Sequence, residues 1–184
     1  MVIGITGTDG AGKGAVVRYL VEQKGFTHYS SRALITAEIE AQGLPINREN
    51  MRLVANQMRK EYGLGVIVTT ALKNMQSQGV KLAVIESIRA LAEADELDKV
   101  GGKLLAVDAD QALRYERITG RRSESDTVTF EEFAAQEAIE MNDPDPNGMQ
   151  KAAVMKRADY TIENSGSLAN MHRQINDFLK TIND

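Results

Sequence analysis

The 184-residue chain contains no cysteine, and that excludes disulfides, thiolate metal sites and cysteine nucleophiles at once. A reducing cytoplasmic setting is the expectation that follows. No apolar run approaches the roughly 18 residues of a membrane span, and the first residues lack a basic stretch followed by an apolar one, so neither membrane insertion nor secretion is expected. Basic residues are not in excess: the formal net charge is −4, whereas a general nucleic-acid binder carries a positive balance. Internal repeats and low-complexity tracts are missing too. With 42% apolar residues, what remains is enough for one well-packed domain spanning 1–184 and too little for two of ordinary size.

The most informative segment is Gly4-Ile-Thr-Gly-Thr-Asp-Gly-Ala-Gly-Lys-Gly14. Met1 to Thr6 reads as a short buried strand, and Ala15, Val16, Val17, Leu20 and Val21 form the apolar stripe of a helix packed on a sheet. Between them, Gly7, Gly10, Gly12 and Gly14 allow backbone N–H groups to converge on an anion. The helix N-terminus adds partial positive charge, and Lys13 supplies a point cation for β- and γ-phosphates at the spacing G-x-x-x-x-G-K. A tight strand-to-helix turn would use the glycines alike but would not call for the lysine. Asp9 admits two readings, a turn-forming carboxylate at a helix start or a group beside a bound ligand.

Further along, strands and helices alternate, which implies a parallel sheet flanked by helices. Phe26–Ser30, Val80–Ile85, Lys103–Val107 and Tyr160–Ile162 read as strands. Helices are expected over about 31–42, 48–62 and 65–78; Asn47 suits the cap of the second, and the β-branched run Val66–Thr70 in the third competes with a helical spacing of Val68, Ala71, Leu72 and Met75. In the second, Met51, Val54, Ala55, Met58 and Tyr62 share a face, leaving Arg48, Arg52 and Arg59 on others. From Ser167 a last helix puts Leu168, Met171, Ile175, Phe178 and Leu179 on the core side.

Ligands of such sheets bind beyond the carboxyl ends of the strands. There stand Glu86, a carboxylate able to hold magnesium through water, and Arg89, placed to grip a phosphate; a solvated helix start is the plainer reading of both. On a helix beginning near Asp110, Arg114, Arg117 and Arg121 recur at i, i+3 and i+7 as a single cationic stripe suited to a transferring phosphoryl group, or as a basic helix end that needs no ligand. Lys151, Lys156 and Arg157 either return a charge to the site or form a solvated helix face, the latter being the preferred reading, and Asn142–Gly148 reads as a surface loop.

The loop resembles the G-x-x-G-x-G-K-G-T form of adenylate kinases and related nucleoside monophosphate kinases, with Ala15 standing where that form has threonine. Asp9 matches the G-x-D-G-x-G-K loop of thymidylate kinases, where the aspartate lies near the acceptor sugar. Glu86 and Arg89 stand at the ends of the D-G-F-P-R motif of adenylate kinases, and Glu116-Arg-Ile-Thr-Gly-Arg-Arg122 resembles the entry to their lid. Ala158-Asp-Tyr-Thr-Ile-Glu-Asn-Ser-Gly166 resembles the A-D-x-x-I-x-N-x-G ending of dephospho-CoA kinases, although no aspartate follows the second strand as their base. Asn47–Asn50 and Gln57–Arg59 are similar to a further group of kinase-like proteins between these families.

The resemblance implies a three-layer α/β/α P-loop NTPase fold with a five-stranded parallel sheet in the order 2-3-1-4-5, a helical acceptor-binding insertion over about 31–78 and a lid over about 119–129. ATP and Mg2+ are the implied cofactors, and a small nucleotide is the implied partner. ATP would be held by Gly7, Asp9, Gly10, Ala11, Gly12, Lys13, Gly14 and Ala15, with Arg117, Asn164 and Ser165 on the adenine side. Asp9, Arg32, Arg48, Arg59 and Arg89 would face the acceptor. Lys13, Arg89, Arg117 and Arg121 would stabilise the charge in transfer, and Glu86 would order magnesium through water. The activity implied is γ-phosphoryl transfer to a nucleoside monophosphate. Alternatives are a dephospho-CoA or other small-metabolite kinase and, from another class, an ATP-binding regulatory module without efficient transfer. Thr36, where adenylate kinases carry an arginine, leaves the acceptor open, with Arg32 a neighbouring substitute.

Overall fold

The computed structural model describes residues 1–120, 129–143 and 149–182. Its strands are β1 (Val2–Gly7), β2 (Thr27–Ser30), β3 (Ala83–Glu86), β4 (Lys103–Asp108) and β5 (Tyr160–Glu163). They form one parallel sheet in the order β2-β3-β1-β4-β5. Parallel strands need crossovers, and helices supply them: α1 (Lys13–Lys24), α2 (Ser31–Ala41), α3 (Arg48–Tyr62), α4 (Val66–Ser77), α5 (Leu91–Lys99), α6 (Gln111–Thr119), α7 (Phe130–Met141), α8 (Lys151–Lys156) and α9 (Leu168–Thr181). This is the α/β P-loop kinase fold. Among the described residues, no helix is long and apolar enough to cross a membrane.

Both faces of the sheet are covered, so its strands are apolar on both sides. Ile3, Ile5, Leu105 and Val107 point toward Val16 and Leu20 of α1 and Met171, Ile175 and Phe178 of α9. Their strand neighbours Val2 and Leu104 pack on the other face with Val68, Ala71, Ala94 and Leu97. A third cluster, Ile35, Ile39, Val54, Ala55, Met58, Val66 and Ile67, joins α2, α3 and α4 to one another, so these helices form a unit beside the sheet.

Local chemistry fixes the helix starts. Ser30, Asn47, Thr129 and Ser167 each accept an N–H of the first turn of α2, α3, α7 and α9. Residues 66–77 are helical despite their β-branched start, because Val66, Ile67, Val68 and Ala71 all find buried partners on that side. Two apolar expectations are corrected. Tyr62 is 71% exposed and Leu168 60% exposed, since each is the terminal residue of its helix and projects past the surface that the helix buries. Strand β3 begins at Ala83 rather than Val80, and Leu82 only delivers its carbonyl to Thr27 N–H.

Candidate functional site

Parallel register brings three strand ends to one edge of the sheet. Ile5 pairs with Glu86 and Gly7 with Val107, so the loop after β1 emerges between Glu86 and Asp108. Within that loop Gly7, Gly10 and Gly12 take φ of 133°, 82° and 96°. Gly12 shows why no side chain is tolerated: a Cβ there would lie 2.4 Å from Asn164 Nδ2. Gly14, grouped with the other glycines on sequence, differs from them. It lies inside α1, and nothing stands within 4 Å of a Cβ built on it.

The loop is braced from beneath. Thr8 is buried and its hydroxyl donates to Asp108 Oδ1 at 2.6 Å, while the buried Asn164 donates to the Ala11 carbonyl at 2.7 Å. Asn164 N–H in turn donates to Asp108 O at 2.7 Å. The Asn164 side chain is thereby committed to the loop, and Ser165 accepts Asp110 N–H at 2.9 Å. Asp108 and Thr8 carry no signal in the motif itself; their roles follow from the β1–β4 register.

With its carbonyls tied down, the loop leaves its amides open. Among the described residues, no protein acceptor takes the N–H of Asp9, Gly10, Gly12, Lys13 or Gly14. Open backbone donors at a glycine-rich turn leading into a helix N-terminus are the chemistry that suits an anion such as the phosphates of a nucleotide. Lys13 Nζ lies over the same loop, donating to Gly7 O at 3.0 Å and Thr8 O at 2.8 Å and pairing with Asp9 Oδ1 at 3.3 Å. Burial pushes the Lys13 ammonium below its ordinary range, opposed by the attraction of Asp9.

Asp9 is the hub of the electrostatics. Its second oxygen accepts Lys151 Nζ at 2.9 Å, and Lys151 also pairs with Glu140. Partial burial would raise the Asp9 pKa, but the charges of Lys13, Lys151 and Arg89 overcome that and hold the carboxyl far below the usual range. The reading of Lys151 as a solvated lysine is therefore corrected: it is only 2% exposed, because α8 turns its first residue in toward the loop.

The same edge carries Glu86 and Arg89. Glu86 Oε2 lies 3.0 Å from His28 Nε2, and this hydrogen bond, against partial burial, keeps the Glu86 pKa low. Ser87 between them has φ of 69°, a left-handed conformation unfavourable for a residue with a Cβ, at the point where the chain turns from β3 toward α5. Arg89 is anchored through its backbone: buried Glu93 accepts both Arg89 and Ala90 N–H groups, at 2.7 and 3.1 Å. Arg89's guanidinium reaches Met149 Sδ at 3.4 Å, and among the described residues no carboxylate pairs with it.

Other expectations are revised. Arg59, expected to face the acceptor, is instead 8% exposed and pairs with Glu93 at 3.3 Å, and among the described residues its Nε has no partner. The cationic stripe is not single. Arg114 turns inward, with Nε on Ala109 O at 2.8 Å, Nη1 on Asp9 O at 3.2 Å and Nη2 on Glu137 at 3.0 Å. Arg117 lies across the loop, 2.8 Å from Asn164 O and 3.5 Å from Ala11 O. Arg121, most of the expected lid and the Arg48 side chain lie outside the described residues. Arg32 is exposed on the first turn of α2, and Thr36 donates to Met51 Sδ at 3.7 Å.

The donor set also tests for magnesium. Among the described residues, no group of three metal-ligating side chains is present. Glu86 alone at the strand end suits an ion held mostly by phosphate and water, the habit of magnesium.

Known proteins agree with this frame. The family model described as an AAA domain matches residues 3–145. UPF0200 proteins of Pyrococcus abyssi and Pyrobaculum aerophilum are 30% and 32% identical, covering 99% and 89% of this chain and 97% and 87% of their own. The crystal structure of TT1252 from Thermus thermophilus superposes with TM-score 0.66 at 25% identity, covering 98% of this chain and 97% of that one. Dephospho-CoA kinase from Campylobacter jejuni gives 0.57 at 15%, covering 98% and 96%. Shikimate kinase from Bacteroides thetaiotaomicron gives 0.57 at 12%, covering 100% and 99%.

Proposed function

The chain belongs to the AAA-domain family and to the UPF0200 proteins within its relatives, and from that premise we propose that it is an ATP-dependent phosphotransferase acting on a nucleoside monophosphate. One observation carries the reading: among the described residues no protein acceptor takes the N–H of five residues of the glycine-rich loop, and Lys13 Nζ lies over that same loop. The amides and Lys13 would hold the donor triphosphate, and Glu86 would hold magnesium through water. Bound magnesium supplies positive charge that offsets the charge of the phosphates.

The remaining chemistry falls to this chain's own residues. Lys13 orients the phosphates and stabilises charge as it spreads. Arg89, its backbone held by Glu93 and, among the described residues, with no carboxylate partner, would receive the acceptor phosphate. Arg117 covers the loop on the side of Asn164. Arg121 and Arg48 complete the proposed cationic set, and Ser165 the adenine side.

The residues after β2 favour a phosphate acceptor over a hydroxyl one. A hydroxyl acceptor calls for a carboxylate placed to take its proton, and no aspartate follows β2 to serve as one. An acceptor that is already an oxyanion needs no base. A second reading, a kinase of dephospho-CoA or another hydroxyl metabolite, is favoured by the Asn164 brace in the loop after β5 and by the likeness in fold. The absence of cysteine supports a cytoplasmic setting.

A transfer assay with ATP, magnesium, a panel of ribo- and deoxynucleoside monophosphates and dephospho-CoA separates these readings. Phosphorylation of a monophosphate is expected. A CoA product would replace the acceptor, and tight ATP binding with no product from any acceptor would point to a regulatory module, consistent with the hydroxyl that Ala15 lacks. Lys13→Ala is expected to abolish triphosphate binding with the circular dichroism unchanged; wild-type affinity in that variant would remove the premise.

A further inference from the structure

A buried lysine needs a reason to be charged, and Lys151 has two. It is 2% exposed, and it is held by Asp9 of the nucleotide loop and Glu140 of α7. Asp9 is in turn shared with Lys13. Charges therefore alternate in one chain from Glu140 to Lys151 to Asp9 to Lys13, and the last member is the residue a triphosphate must recruit.

Lys13 rests on the carbonyls of Gly7 and Thr8 and on Asp9. To reach a phosphate it must give up Asp9. Unless another cation satisfied that carboxylate, Asp9 would compete with the nucleotide for Lys13 and would also repel the phosphates. We infer that Lys151 is a positioning residue that neutralises Asp9 and so releases Lys13 to the nucleotide. The contact that does this is 2.9 Å, shorter than the 3.3 Å between Asp9 and Lys13, so Asp9 is already held more closely by Lys151. Arg89 forms no hydrogen bond or ion pair with Asp9 and its guanidinium instead reaches Met149 Sδ, so the role does not pass to Arg89.

This inference rests on the triphosphate reading, and ATP affinity measured by isothermal titration calorimetry separates the two. Failure of the wild-type chain to bind ATP would sink the functional reading. If wild type binds, Lys151→Met is expected to weaken ATP by about tenfold, the scale of one charge-assisted hydrogen bond. Adding Asp9→Asn to that variant is expected to restore most of the loss, because no carboxylate then holds Lys13. A merely structural lysine would not be rescued this way. Lys151→Arg should stay near wild type. Glu140→Gln, which keeps the cation and leaves it wholly to Asp9, should bind ATP as tightly as wild type or better, and it tests the inference even if Lys151→Met does not fold. Unchanged affinity in Lys151→Met, no rescue in the double variant, or weaker binding in Glu140→Gln would each overturn it.

Discussion

Replacing Arg114 by methionine tests whether this arginine is part of the scaffold or part of the chemistry. Its side chain is 6% exposed and makes bonds to Ala109 O and Asp9 O, a two-pronged pair with Glu137, and a contact 5.7 Å from the Phe133 ring centre. Glu137 is itself only 13% exposed, and it also accepts a hydrogen bond from Gln111 Nε2 at 2.9 Å. Methionine fills much of the volume but leaves Glu137 charged and poorly solvated. Breaking a buried pair from one side costs about 3–5 kcal/mol. At roughly 2–4 °C per kcal/mol for a chain of this size, the melting temperature should fall by about 6–20 °C. Arg114→Met/Glu137→Leu removes both charges and should recover most of that loss, since apolar replacement of a buried pair is often close to neutral. Urea denaturation of the wild type, both single variants and the double variant closes the cycle. A loss below about 1 kcal/mol in Arg114→Met, or a double variant as unstable as the sum of the singles, would refute the buried-pair account.

Three further outcomes follow from the same geometry. Gly14→Ala should stabilise by about 0.5–1 kcal/mol in thermal melts, because the position is helical and open. Gly12→Ala should instead cost more than about 2 kcal/mol, since a left-handed φ and the Asn164–Ala11 bond are both compromised. The Asp9 carboxyl, held far below its ordinary value of 3.8, contributes stability that is fully present above that value and is lost as pH falls through the lower folded one. The unfolding free energy should therefore decline below about pH 4 more steeply in wild type than in Asp9→Asn; equal slopes would show that Asp9 is not so held.

Much of the fold was legible locally. The switch from strand to helix periodicity, the cap at Asn47 and the glycine-rich loop are short-range features, and residues within a turn of one another decide them. The Val66 helix was the hardest local case, since β-branched residues favour strands until a buried face rewards the helix. The proposed roles of Glu86 and Arg89 were read from their positions after a strand and that of Lys13 from the glycine-loop spacing, and the fold brings all three to one edge of the sheet. Arg114 and Lys151 were misread because helical spacing says which residues share a face, not whether that face meets water or a carboxylate from another helix.

The chain by itself thus determined the anion cradle and the parallel α/β frame, because both depend on patterns a few residues long. Tertiary structure alone decided which charges are free. Asp9 meets Lys151 across 142 positions, Arg114 meets Asp9 across 105 and Thr8 meets Asp108 across 100. Such contacts are set by strand order and register, and the energy of a charge depends on its neighbours in space. Lys13, Arg59, Arg114 and Lys151 all meet carboxylates of the protein itself, whereas among the described residues no carboxylate pairs with Arg89.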